Sequence, residues 1–186
     1  MYKLTDKQDT AEQVLLKDCI SGKYHNKHTT FSAAYNEEGI TFNFNCEDDD
    51  IFSTMTKFND NIYDEDVVEV FISTDGDLKK YFEIEISPLE NVLQLKVKND
   101  LNGHFSIEYL LNDVIKRTVI KNSKGWNAEF FIPFTLFETT AKKGDKWLFN
   151  AYRIDRNGAE RNYYALNSTF KAEYHHPKFF TELIFG

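Results

Sequence analysis

The sequence predicts an all-β fold, an antiparallel sandwich of about ten strands with at most short helical turns. Three observations lead there. Apolar and polar residues alternate with period two in short segments, the pattern of strands with one buried face. Turn residues (Gly, Asn, Asp, Ser) separate those segments at hairpin spacing. Helical periodicity is weak, so the strand–helix alternation that builds a parallel sheet is missing. A length of 186 residues fits a single domain over 1–186, with 1–29 reading as a less patterned N-terminal extension.

The elements follow in order. Residues 10–20 carry the one helical pattern, with Thr10 as its cap. Residues 31–35 and 40–46 flank Asn36-Glu-Glu-Gly39, a hairpin turn. Residues 67–73 are apolar on both faces except at Glu69, and Thr74-Asp-Gly-Asp77 turns the chain after them. Residues 81–87 alternate cleanly and leave one face, with Glu83 and Glu85, to solvent. Residues 92–98 alternate likewise. Residues 114–121 and 126–132 surround Asn122-Ser-Lys-Gly125, a third hairpin signal. Residues 134–139 fit one helical turn after Pro133. Strands at 147–155 and 183–185, with a short one at 162–166, complete the set.

Composition narrows the function. Seventeen Phe, ten Tyr and two Trp make 16% of the chain aromatic, ample for a sandwich core and for surfaces that stack on ligands. The net charge of −8 argues against a nucleic-acid backbone or an anionic membrane as partner, because both need a basic face. It suits a neutral or cationic ligand. Cys19 and Cys46 make no disulfide framework and read as reduced thiols. No apolar stretch reaches the roughly 18 residues of a membrane span, and the N-terminus lacks the apolar core of a secretory signal. The expected location is cytoplasmic as written, or outside the cell if a leader has been removed. No nucleophile elbow, phosphate-binding loop or dinucleotide fingerprint occurs.

Single residues carry chemistry next to plainer alternatives. A lone carboxylate in the apolar row at Glu69 is costly to bury unless something hydrogen-bonds to it; a ligand would serve, and so would a buried pair with Arg153 or Lys57. Arg153 shares a strand face with Phe149 and Ala151 and is expected to be partly buried and ion-paired. Glu83 and Glu85, with Glu69 or Glu129, could flank a glycosidic bond as hydrolase carboxyls do, although strand glutamates more often face water. The acidic run 47–50 with Asp60, Asp64, Glu65 and Asp66 offers oxygen ligands but lacks the Asp-x-Asp-x-Asp-Gly loop. No cofactor is expected; a structural Ca2+ stays open. His175 and His176 point apart on an extended chain, which weakens zinc or haem readings.

Several segments together resemble the family 9 carbohydrate-binding modules, within the DOMON-like superfamily. They are Tyr63-Asp-Glu-Asp-Val-Val-Glu-Val-Phe-Ile72 with its turn, Tyr81-Phe-Glu-Ile-Glu-Ile-Ser87, Gly125-Trp-Asn-Ala-Glu-Phe-Phe-Ile-Pro133, Trp147-Leu-Phe-Asn-Ala-Tyr-Arg153 and Tyr174-His-His-Pro-Lys-Phe-Phe180. The resemblance covers roughly residues 30–186. It implies non-catalytic carbohydrate binding, with a mono- or oligosaccharide stacked between the rings of Tyr63 and Tyr174 and its hydroxyls held by Glu69. Arg153 and Tyr152 are the second-rank members of that site. The chain departs from the family pattern in having Tyr at both clamp positions, where Trp is common. It also has Glu83 where the family has an arginine, Lys171 as the polar residue before the clamp, and Tyr152 in place of a glutamine. The alternatives are a sandwich that has lost its sugar site and serves interaction or structure, and, more remotely, a glycoside hydrolase.

Overall fold

Along Gly39–Glu47, Ile40, Phe42, Phe44 and Cys46 are buried while Asn45 and Glu47 are exposed, so the period-two pattern of the sequence becomes an inside and an outside. The same logic repeats across a computed structural model that describes residues 1–186. Its strands in chain order are β1 (Tyr2–Leu4), β2 (Val14–Leu15), β3 (Lys17–Asp18), β4 (Thr29–Tyr35), β5 (Gly39–Glu47), β6 (Val67–Ser73) and β7 (Lys80–Ile86). They continue with β8 (Val92–Asn99), β9 (Phe105–Tyr109), β10 (Lys116–Asn122), β11 (Gly125–Pro133), β12 (Lys146–Asn157), β13 (Glu160–Ala165) and β14 (Thr181–Phe185). Short 3₁₀ turns at Gln8–Thr10, Ile62–Asp64, Phe134–Phe137 and Pro177–Phe179 are the only helical elements.

The strands form two facing sheets. The larger runs β1-β14-β12-β6-β7-β8-β9, with β13 on β12 and β3 on β13; the smaller runs β10-β11-β5-β4-β2. All pairings are antiparallel except β1 with β14 and one bridge between Thr5 and Ala34. Between the sheets lies a cluster of 29 buried residues, among them Phe31, Phe42, Phe44, Trp126, Phe130 and Phe149. Each large side chain so buried contributes about 1.5–3 kcal/mol.

A second cluster of 12 buried residues lies on the other face of the larger sheet. There Val67, Phe71, Tyr81, Leu93, Leu95 and Tyr152 are covered by Cys19, Ile62 and Tyr174 from connecting segments. This second layer explains why every residue of β6 is buried. It also corrects the expectation of a wet face at Glu83 and Glu85: both are buried because loops pack over them.

Two further expectations change. Residues 10–20 are not a helix: the 3₁₀ turn ends at Thr10 and the chain then gives β2 and β3. Val14 and Leu15 pair with Phe31 and Thr30 in the smaller sheet, while Lys17 and Asp18 pair with Ala165 and Tyr164 in the larger. Open strand edges on both sheets outcompete a weak local helix pattern. Residues 1–29 are likewise no extension, since β1 completes the larger sheet through Tyr2↔Leu183 and Leu4↔Phe185.

Candidate functional site

Register assembles the site. Residues opposite each other in adjacent strands point to the same face. Tyr152 lies opposite Glu69, Glu69 opposite Glu85 and Phe71 opposite Glu83, and Leu95 opposite both Glu83 and Tyr109. Three glutamates from two neighbouring strands therefore meet on the outer face of the larger sheet. One carboxylate oxygen from each of Glu69, Glu83 and Glu85 lies within 4.8 Å of the other two. Glu85 is 0% exposed, and the other two are nearly as enclosed. Glu69 Oε1, Glu83 Oε2 and both oxygens of Glu85 are buried and accept no N–H or hydroxyl from another kind of residue, while the carboxyls of Glu83 and Glu85 hydrogen-bond each other when one of them is protonated.

Desolvation sets the protonation of this floor. Burial pushes Glu83 up to about 7. Glu69 rises well above the usual carboxylate range through burial and then the charge of Glu83. Glu85 rises likewise, through burial first and then the charges of Glu69 and Glu83. Neither Arg153 nor Lys57 pairs with Glu69, contrary to the buried-pair alternative. His175 Nε2 stands 3.8 Å from Glu83 Oε2, its Nδ1 meets Tyr81 Oη at 2.7 Å, and its ring stacks on Phe105 at 3.8 Å. Burial pulls His175 down to about 4, so near neutral pH it adds no positive charge.

The rim comes from two elements. In the turn Ile62–Asp64, Ile62 is buried in the outer cluster and anchors the turn. Its neighbour Tyr63 projects with 38% of its surface exposed. Partial burial and then the charges of Asp64, Glu85 and Tyr109 raise the Tyr63 phenol, which sets that ring close to the glutamate floor and to β9. Along β9, Phe105, Ile107 and Tyr109 alternate toward the same face, and Tyr109 is 42% exposed. The sequence reading missed β9, although Phe105-Ser-Ile-Glu-Tyr109 carries a legible period-two signal. It weighed Glu85 only as a remote hydrolase carboxyl on a solvent-facing strand, because a burying loop leaves no mark on the strand it covers.

Tyr174 lies near Glu69: burial and then the Glu69 charge are the leading causes that push its phenol up. It is 6% exposed. Its ring lies flat on Tyr152, centroids 4.1 Å apart and planes 15° apart. Its hydroxyl donates to the Arg153 carbonyl at 2.6 Å, and Tyr152 Oη donates to the Tyr174 carbonyl at 3.3 Å. Tyr152 and Tyr174 thus lock each other into a packed wall beside Glu69, while Tyr63 stays open. The tyrosine that Tyr174 stacks upon is Tyr152.

Arg153 is corrected as a site member. It alternates with Tyr152 along β12, so it points away from Glu69 into the space between the sheets, fully buried. Nη2 donates to Asp48 at 2.9 Å and to Asp155 at 3.2 Å. Nη1 donates to Thr29 Oγ1 and the Glu47 carbonyl, both at 2.9 Å. Asp48 also accepts from Trp126 Nε1 at 3.3 Å. Asp48, Asp66 and Asp155 form a second buried acidic triad, and this one comes with its own cation.

Comparisons with known proteins agree with this architecture. Residues 5–185 match the family model described as "Carbohydrate family 9 binding domain-like". An extracellular protein of Arthroderma benhamiae is 30% identical over 173 residues, covering 84% of this chain and 78% of that protein. A crystal structure from Bacteroides uniformis, designated a candidate carbohydrate-binding protein, superposes with a TM-score of 0.78 at 15% identity, covering 100% of this chain and 97% of that one. A family 9 module from Caldicellulosiruptor kristjanssonii bound to glucose gives 0.68 at 13% identity over 99% of this chain and 94% of its own. Its cellotriose complex gives 0.69 at 13% identity over 99% and 92%.

Proposed function

Because the chain belongs to the family 9 carbohydrate-binding domain-like proteins, we propose that it binds the end of a neutral saccharide on the outer face of its larger sheet, without transforming it. The observation that carries this reading is the pairing of opposites at one place. An open aromatic ring, Tyr63, lies near enough to Glu85 and Glu83 to feel their charges, and on the same sheet face the buried carboxyl of Glu69 has an Oε1 with no partner in the protein. A pyranose presents those complements, a flat C–H face for the ring and a rim of hydroxyl donors for the carboxylate. The structural neighbours that hold glucose and cellotriose make those sugars the first ligands to try.

Tyr174 and Tyr152 serve this site as a rigid wall. Tyr109 on β9 supplies a second exposed ring near Tyr63. The carboxyls of Glu69, Glu83 and Glu85 sit side by side on one sheet face, whereas a glycoside hydrolase places its pair on either side of the bond to be cut. That arrangement supports recognition over hydrolysis.

Calorimetric titration with glucose, cellobiose and cellotriose tests the proposal. Saturable binding is expected, weakened in Tyr63→Ala. Equal affinity in the wild type and Tyr63→Ala would remove Tyr63 from the site. A second reading, an interaction module without a sugar site, draws on the tight packing of Tyr174 and on the exposed apolar row of β9; it predicts no saccharide heat at all.

A further inference from the structure

The outer face of the smaller sheet carries a groove of about 560 Å3. Alternation turns Phe42, Phe44, Trp126, Ala128 and Phe130 into the core, so Asn43, Asn45, Asn127 and Glu129 point outward. Register sets them side by side. Thr30, Asn45, Asn127 and Ile120 form one row across β4, β5, β11 and β10, and Ser32, Asn43, Glu129 and Thr118 form the next. Gln8 and Gln13, from the segment between β1 and β2, complete the lining. Asparagine is a poor strand former, yet three stand together in the middle of strands that are paired on both sides. Elsewhere the fold uses its amides on itself: Asn59, Asn91, Asn99 and Asn150 each donate to a backbone carbonyl. Of the three groove asparagines only Asn127 is engaged, its Oδ1 accepting from Asn122 at 3.2 Å. Asn43 Nδ2 is buried with no partner at all.

We infer that this groove is a second binding site, for a stretch of neutral, hydroxyl-rich glycan chain. No lysine, arginine or histidine lines it, so it offers no cation to a phosphate or carboxylate. Ile120 is its one outward apolar side chain, too little to hold an apolar guest. A peptide strand would need an open sheet edge for its main chain, and β5 and β11 have none. What the groove does offer is groups that both donate and accept. Each side-chain amide carries two donors and an acceptor, and each hydroxyl does both. Sugar hydroxyls have the same dual character and can meet them pair by pair, with Glu129 as a further acceptor. From β4 to β10 the rows cross three strand spacings, about 14 Å, so the guest lies along them as a chain and needs no terminus. The groove and the Tyr63 site occupy opposite outer surfaces of the sandwich. This inference therefore goes beyond the recognition of a chain end and stands without it; a domain with both sites would hold two glycan chains at once.

The test follows the side-chain NH2 signals of the full chain by NMR, in the wild type and in Tyr63→Ala, during titration with cellohexaose, xylohexaose and mannohexaose. At least one of these neutral oligosaccharides is expected to move the Asn43, Asn45 and Asn127 signals saturably by about 10 mM, ten times a Kd of 1 mM, and equally in both chains. The double variant Asn45→Ala/Asn127→Ala, read on the Asn43 signal, should bind roughly tenfold more weakly or worse, the loss of two hydrogen bonds. Its Tm should hold, since both side chains lie outside the core, which separates loss of binding from loss of the fold. Because the groove is also read with the Tyr63 ring removed, its outcome is independent of the glucose titration. The inference is overturned if no groove amide signal moves with any of the three sugars. It is overturned too if the shifts vanish in Tyr63→Ala, which would make them a distant effect of the first site, or if Asn45→Ala/Asn127→Ala binds as the wild type does.

Discussion

Arg153 shows how a single side chain can be essential to the fold and absent from the binding face. Its guanidinium reaches residues of both sheets and lies over the Tyr164 ring at 5.3 Å. Removing it leaves Asp48 and Asp155 buried without their cation. Arg153→Met should therefore cost about 3–5 kcal/mol in urea unfolding. Tyr63 is the opposite case, because much of its ring faces water. Tyr63→Ala should leave the unfolding midpoint nearly unchanged and weaken saccharide binding by about 1 kcal/mol, roughly fivefold. Tyr174→Phe separates wall from jaw: it loses the 2.6 Å hydrogen bond to the Arg153 carbonyl but keeps the ring on Tyr152. A stability loss of about 1 kcal/mol with saccharide affinity intact is expected; a fall in affinity without a fall in stability would make the Tyr174 hydroxyl a direct contact.

At the scale of elements, strands differ in how firmly they are held. Every residue of β6 is buried and it is paired on both sides, whereas all five residues of β9 are exposed and it pairs with β8 alone. Hydrogen exchange should find β9 amides opening well before those of β6; equal protection would mean that β9 is covered in solution. The β10–β11 hairpin turns on Gly125, whose φ of +143° disfavours a side chain and whose added Cβ would sit 2.0 Å from the Cys46 carbonyl oxygen. Gly125→Ala should destabilise by about 1–3 kcal/mol, measured by chemical unfolding.

These elements also show what a sequence discloses. The hairpins at Asn36 and at Asn122, the doubly apolar β6 and the anomaly at Glu69 were legible because alternation and turn chemistry are local. The strand nature of Val14–Leu15 and Lys17–Asp18 was not, since it depends on distant edges at Phe31 and Tyr164. The Glu69–Glu83–Glu85 cluster was half legible: the residues were visible, but their burial comes from Ile62 and Tyr174, segments remote in the chain.

For the molecule as a whole, pH acts through groups the fold has taken out of water. Burial pushes Asp66 up to about 7, and the charge of Asp48 adds to it; backbone N–H donors from Arg156 and Phe52 and the charge of Arg153 oppose it. A carboxyl whose folded pKa exceeds its unfolded value near 4 holds its proton more tightly when folded. Its contribution is therefore most favourable below about pH 4 and is lost as pH climbs toward 7. The urea midpoint should fall over that window, and Asp66→Asn should flatten the fall; a midpoint that rises instead would mean Asp66 is ionised in the native state. The two thiols carry a different consequence. Cys46 belongs to the cluster between the sheets and Cys19 to the layer outside them, each enclosed. With β-structure dividing them, they have no route to each other while the native state persists. Oxidants should thus find nothing to cross-link, and a thiol-modifying dye would act as a clock for the rare moments when the whole architecture comes apart.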